Sequence, residues 1–304
     1  MFLCGSMEME TVREISKLFV ISLFFVIVSF CVGCEPQEKY ERSVDLLKPA
    51  GNSNVLEAKT VNGDIVYNGN ETGDCRVIAK IQARANTQEI AQKLAEETKV
   101  SLEEADNKII VKIEKPDTNC NRNVSVSLDI AGPKQMAVVF VSCNGDIKAN
   151  QIAGSLSFTT TNGDMEACDI GGDVNVQSCN GDIELSRVNK NITAKTSNGD
   201  IEVCNAKGNC NFASNNGDIE LSYETGATEV TNIVLVTNNG DIDLKAPGWS
   251  SGSIELSTGN GDIESQGLLQ FHGRLKGTGK WVIGDASTEN SLKIVTTNGD
   301  IKIY

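Results

Sequence analysis

The sequence predicts an all-β fold: a single-stranded parallel β-helix, or solenoid, of coils of about 18–23 residues with a small mixed α/β cap on its N-terminal side. Three observations carry this. The tripeptide Asn-Gly-Asp occurs nine times, with its Asn at 62, 144, 162, 180, 198, 216, 239, 260 and 298, and Ile follows it everywhere except at Met165. From 144 to 216 the Asn recurs every 18 residues without a slip, and a fixed period near 20 residues marks a stacked architecture. Apolar residues alternate with polar ones after each tripeptide, the period of a strand buried on one face.

Composition agrees with strands and turns. The 304 residues are 39% hydrophobic and include 28 Gly, many Asn, Thr, Val and Ile, and no excess of Ala or Leu. A net charge of −14 repels phosphates and argues against nucleic acid as a partner. One His and 5% aromatic residues leave little for acid–base chemistry or for stacking on sugars, so the expectation is a non-enzymatic protein without cofactor or metal.

Residues 1–34 read as a targeting segment. Arg13 and Lys17 precede an apolar run from Leu18 to Val32, which is too short for the roughly 18–20 residues that span a bilayer core. The run ends in Cys31-Val32-Gly33-Cys34, which resembles the bacterial lipobox, although Cys31 stands where Leu is usual. The resemblance implies cleavage after Gly33 and a lipid on Cys34, hence a membrane-attached protein outside the cytoplasm. An uncleaved anchor is the alternative, and Met7 or Met9 is an alternative start. Residues 35–54, polar with two prolines, read as a flexible tether.

Residues 55–135 read as the cap, with one early turn at Asn62-Gly63-Asp64. Val77 to Ala83 and Lys108 to Glu114 alternate as strands, the second ended by Pro116. Between them Asn86 and Glu89 form a capping box that starts a helix with Ile90 and Leu94 on one face. The helix is expected to cover the open end of the solenoid.

Residues 136–304 are the repeat. Overlaid, the units place Ile147/Ala149, Met165/Ala167, Ile183/Leu185, Ile201/Val203 and Ile219/Leu221 on the inner face of one strand. Leu156/Phe158, Val174/Val176, Ile192/Ala194 and Cys210/Phe212 occupy the inner face of a second. A second corner carries Gly154, Gly172, Gly208 and Gly226, with Lys190 as the exception. Gaps of 23, 21 and 38 residues follow the Asn at 216, so later units carry insertions and the last gap is expected to hide a degenerate unit. A meander of Asn-Gly hairpins also fits the alternation. Equal spacing of like residues on both strands favours the solenoid.

The turns Asn144-Gly145-Asp146, Asn162-Gly163-Asp164, Asn180-Gly181-Asp182, Asn198-Gly199-Asp200 and Asn216-Gly217-Asp218 are expected to be structural. Asn and Gly tolerate left-handed backbone angles, Asp closes its own turn, and inward Asn amides form a ladder. The sharper alternative is a cation bridging the stacked Asp residues, with Glu166, Glu184, Glu202 and Glu220 beside them. It is disfavoured because only one corner carries an Asp routinely.

Seven cysteines remain beyond Cys34. Cys210 falls on the inner face. Cys143 and Cys179, like Cys168 and Cys204, stand two coils apart, about 9.6 Å, beyond the roughly 7 Å reach of a disulfide. That leaves Cys75–Cys120 as the expected bridge. His272, the only histidine, lies in an insertion and reads as a surface residue.

The NGDI turns every 18 residues, the Gly at the opposite corner and the closing Thr-Thr-Asn-Gly-Asp-Ile-Lys-Ile-Tyr resemble the bacterial putative adhesin family of β-strand repeat proteins, a domain of unknown function, over residues 55–304. The resemblance implies a single-stranded β-helix and an exported or membrane-attached protein. The function expected is a lipid-anchored extracytoplasmic binding or structural module of adhesin type, with a protein or glycan of the envelope or cell surface as partner. The alternative is envelope-stress or ligand sensing with a membrane partner. A polysaccharide-cleaving β-helix is the less favoured third reading.

Overall fold

The structure, a computed structural model, describes residues 37–116, 124–227, 231–246, 252–266, 273–283 and 290–304. Cys34, Cys120 and His272 lie outside the described residues. Each coil is named below by its Asn.

The repeat is a parallel solenoid. Strands Leu156–Thr159, Val174–Gln177, Ile192–Lys195 and Cys210–Ala213 stack side by side, with Leu156 beside Val174, Val174 beside Ile192, and Ile192 beside Cys210. Past the NGD turn, Ile147, Met165, Ile183, Ile201, Ile219 and Ile242 form one column in the same way. Every inward pair expected from the alternation is buried. Tyr67, Phe140 and Phe158 pack together inside neighbouring coils, the two Phe rings stacked 5.5 Å apart.

A third buried column, Ile152, Ile170, Val188 and Ala206, was not anticipated. Strict alternation from Ala149 would point Ile152 to solvent. The residue before each member has left-handed φ (Gln151 +58°, Asp169 +59°, Arg187 +53°, Asn205 +57°), which turns the strand by one position and brings the next side chain back inside.

Both ends of the stack depart from chain order. Strands Lys108–Glu114 and Val124–Pro133 form an outer coil against Val55–Lys59 and Ile65–Asn70, which pair in turn with the Asn144 coil. The Asn62 coil is therefore part of the solenoid, and a boundary at 135/136 cuts across the stack. At the other end, Ser291–Asn298 and Ile301–Ile303 sit between the Asn239 coil and the strand Gly252–Ser265, so the spatial order is Asn239, Asn298, Asn260. The 38-residue gap holds no degenerate coil among the described residues; it holds Gly273–Ile283, which runs antiparallel along Gly252–Ser265.

The N-terminal end is closed in the same manner. Asp74–Ala85 runs antiparallel to Val124–Pro133, and Lys99–Ala105 antiparallel to Lys108–Glu114. Residues Glu38–Pro49, expected to be a tether, form a strand antiparallel to Asp74–Ala85. Their charges and Pro49 obscure the alternation of Tyr40, Val44 and Leu46, which pack on the core. Helix α1 (Gln88–Glu97) lies against these two strands, and Arg42 donates from Nε and Nη2 to the carbonyls of Ala95 (2.7 Å) and Thr98 (2.5 Å) at its C-terminal end. Its N-cap is Thr87, whose hydroxyl accepts from Ile90 N, and not Asn86. The buried face is Ala91, Leu94 and Ala95, while Ile90 is half exposed.

Because the Asn298 coil has neighbours on both sides, it is interior although it ends the sequence. Ile301→Ala is expected to cost about 2–5 kcal/mol, as much as Ile201→Ala in mid-stack. Chemical denaturation giving less than about 1 kcal/mol for Ile301→Ala would show that this coil frays.

Candidate functional site

The NGD corner comes first, because the nine repeats make it the obvious candidate. Every corner Asn from Asn144 on donates from Nδ2 to the Asn Oδ1 of the adjacent coil at 2.7–2.9 Å, in one ladder that runs Asn62, 144, 162, 180, 198, 216, 239, 298, 260, with Asn62 as the terminal acceptor. The ladder lies on the exposed corner and not inside, since the chain bends after the strand and the period of two is lost. The inward place belongs to the residue two before each Asn. That residue is Ser or Thr in all nine repeats (Thr60, Ser142, Thr160, Ser178, Thr196, Ser214, Thr237, Thr258, Thr296), and all are buried. From Ser142 onward these hydroxyls donate to the corner Gly carbonyl of the neighbouring coil at 2.8–3.4 Å, which satisfies them without water.

The Asp does not close its own turn. Its Oδ1 accepts from the backbone N–H of the Asp in the next coil at 2.7–3.0 Å, from Asp64 through Asp146, Asp164, Asp182, Asp200, Asp218, Asp241 and Asp300 to Asp262. The stacked carboxylates are thus spaced by backbone donors. Among the described residues no group of three or more Cys, His, Asp or Glu is arranged to hold a metal ion.

The Gly is fixed by proximity more than by a left-handed angle. A Cβ on Gly181 would lie 2.0 Å from the carbonyl oxygen of Gly163, and the backbone of a stacked coil cannot withdraw. The Asn residues of the corner keep negative φ. Asn, Gly, Asp and the preceding hydroxyl therefore all spend their polar groups on the next coil, and the first corner is scaffold.

The cysteines bear little on chemistry. Cys143, Cys168, Cys179 and Cys204 are free, as the coil spacing requires. Cys210 is buried beside Ile192, and burial pushes its thiol up to about 12. Cys75 also carries a free thiol, buried and pushed up to about 11; its expected partner lies outside the described residues.

The second corner differs. Gly154 and Gly172 stack there as expected, and Gly208 stacks on Lys190, but Gly226 has open space around it and stands outside the column. Next to this corner the four left-handed residues stand one per coil. Each costs about 1–2 kcal/mol that Gly would not, and such strain gathers where side chains have a task beyond the fold. Here Gln, Asp, Arg and Asn occupy the positions and line an open groove of about 780 Å³ that crosses the coils. Three ion pairs flank it: Lys134 with Glu71, Arg187 with Asp169, and Lys207 with Glu224 at 2.9 Å. Arg187 grips Asp169 with Nε at 2.5 Å and Nη2 at 3.0 Å, and Nη2 also touches Cys168 Sγ. The hydrogen bond from Arg187 holds the Asp169 carboxyl below the usual carboxylate range. Arg187, Asp169, Gln151 and Asn205 are side chains that sequence reading missed: their column has no residue type in common.

A family model described as Toastrack DUF4097 matches residues 57–304. A crystal structure described as a putative adhesin from Parabacteroides distasonis shares the fold, with a TM-score of 0.51 and 10% identity over 89% of this chain and 98% of that one. A putative adhesin from Bacteroides fragilis aligns at a TM-score of 0.45 and 15% identity over 86% and 97% of the two chains. A putative lipid binding protein from Parabacteroides distasonis aligns at 0.42 and 13% over 88% and 97%. No curated protein matches the sequence.

Three substitutions test the corner. Gly181→Ala forces a Cβ into backbone and is expected to cost at least about 3 kcal/mol. Thr196→Val keeps the shape but loses the hydroxyl donor, at about 1–2 kcal/mol. Glu184→Gln, on the exposed face, should stay within about 0.5 kcal/mol. Equal losses for all three in urea denaturation would contradict the register. Because the Asp oxygens already hold N–H groups, millimolar calcium is expected to leave the melting temperature unchanged; a rise of many degrees would show cations bridging the coils.

Proposed function

The chain belongs to the Toastrack DUF4097 family, and from that premise we propose that it is an extracytoplasmic binding module of adhesin type, held at the bacterial envelope by a lipid on Cys34 and contacting its partner through the second-corner groove. The observation that carries the reading is the contrast between the corners. At the NGD corner the Asn amide, the Asp carboxylate and the hydroxyl of each repeat are taken up by the next coil, whereas the strained second corner turns ion pairs and amides outward. A solenoid supports such a surface well, since each coil contributes one position to an extended face.

Binding without catalysis is the reading for this groove. Its three carboxylates are each committed to a cation, and its lining includes no histidine. The lipobox at Cys31-Val32-Gly33-Cys34 supports attachment to the membrane, and the strand at Glu38–Pro49 would begin the folded body within a few residues of the lipid. The module would therefore stand close to the membrane surface.

The anchor is tested by Cys34→Ala. The variant is expected to leave the membrane fraction or to accumulate as a heavier precursor; unchanged detergent partitioning with unchanged mass would refute lipidation. Contact through the groove is tested with labelled chain and intact cells. Arg187→Ala with Lys207→Ala should lose surface binding at an unchanged melting temperature, and undiminished binding would move the contact elsewhere.

A further inference from the structure

We propose that the second-corner groove takes an uncharged linear glycan laid along the stack axis, one sugar to a coil, which rests on the reading of that groove as the contact surface.

The direction of the backbone bonds excludes an extended peptide. In a solenoid the strand N–H and C=O groups point along the stack axis, and here they are used from coil to coil: Gly171 N donates to Ile152 O, Asn189 N to Ile170 O and Lys207 N to Val188 O. A peptide running across the coils meets no open strand edge to extend. Recognition has to come from side chains.

The charges then select the chemistry. Lys134, Arg187 and Lys207 are balanced by Glu71, Asp169 and Glu224, so the lining has no net charge although the whole chain carries −14. An anionic polymer would face the three carboxylates and the field of an acidic protein, and a cationic one would face the three cations. What the groove offers instead is donors and acceptors side by side. The amides of Gln151, Asn189 and Asn205 each carry both, and Arg187 keeps Nη1 outside its bidentate pair with Asp169. Sugar hydroxyls, which also donate and accept, match such a lining.

Spacing adds a length scale. Gln151, Asp169, Arg187 and Asn205 stand one coil apart, about 4.8 Å, close to the advance of one pyranose ring along an extended chain. From Glu71 to Glu224 the groove crosses about five coil spacings, roughly 24 Å. At Gly69, Ala153 and Gly171 the lining carries at most a methyl group, at the two glycines because the carbonyls of Gln151 and Ala153 in the neighbouring coil stand where a Cβ would be.

The test uses the purified protein and calorimetric titration with pentaoses of β-1,4-linked glucose, mannose and galactose, with a galacturonic acid pentaose for comparison. At least one neutral pentaose is expected to bind saturably, with little dependence on salt, and at least tenfold more tightly than its disaccharide. Asn205→Ala and Lys207→Ala are expected to weaken it at least tenfold without a change in melting temperature; Lys207 lies off the strained column, so its variant keeps the test open if Asn205→Ala misfolds. Binding of none of the neutral pentaoses, preference for the uronate, or equal binding by both variants would overturn the proposal. The cell-surface assay run in parallel separates the two claims: surface binding lost in the groove variants while no pentaose binds would leave the groove as contact surface and remove the glycan.

Discussion

The constraint on which the rest of the structure depends is the contact of each corner with the same corner one coil away, at about 4.8 Å. At this spacing Asn must meet Asn, an Asp carboxylate must meet the next Asp N–H, and a side chain on the glycine would enter the neighbouring carbonyl. One substitution therefore disturbs two interfaces. The repeat in the sequence is a consequence: a residue is suitable at one corner only if it suits the corner above and below. The same logic explains why like charges can be stacked here. From Asp64 to Asp300 one oxygen of each Asp is held by a backbone donor of the next coil, which offsets the repulsion between carboxylates.

A stack of parallel strands cannot end as it repeats, since its last strand leaves N–H and C=O groups unpaired. Both ends resolve this by reversing direction, with antiparallel strands at Asp74–Ala85 and Lys99–Ala105 on one side and at Gly273–Ile283 on the other. Both also place an outer coil beyond the first and the last NGD coil in the sequence. The Asn62 and Asn298 coils are thus held between neighbours, where they cannot unwind singly. Long-range pairing replaces the nearest-neighbour order of a simple solenoid, and the stack gains cooperativity between segments far apart in sequence.

The fold and the inward columns were legible because period-2 alternation and the 18-residue period act locally and repeat. The order of the last coils was not: Ile263 and Ile301 follow identical NGD turns, so nothing local says which stacks on Ile242. The strand at Glu38–Pro49 was masked by its charges, with Arg42 turned inward only because it caps α1. The buried hydroxyl ladder was legible and overlooked, since Ser or Thr precedes every Asn by two. The groove had no such signal. Gln151, Asp169, Arg187 and Asn205 share a backbone angle and not a chemistry, and a left-handed angle at residues other than Gly leaves no reliable mark in a sequence.

The coil-to-coil ladder is tested most directly by amide hydrogen exchange resolved by residue in the native protein and in Asp182→Ala. The Asp200 N–H donates to Asp182 Oδ1 at 2.8 Å, whereas the Asp164 N–H donates to Asp146 Oδ1. If the carboxylates hold the stack in register, exchange at Asp200 accelerates at least tenfold in the variant and exchange at Asp164 stays as it was. Equal protection of Asp200 in both proteins would contradict the account, because the Asp column would then be decoration on a stack held by its strands alone.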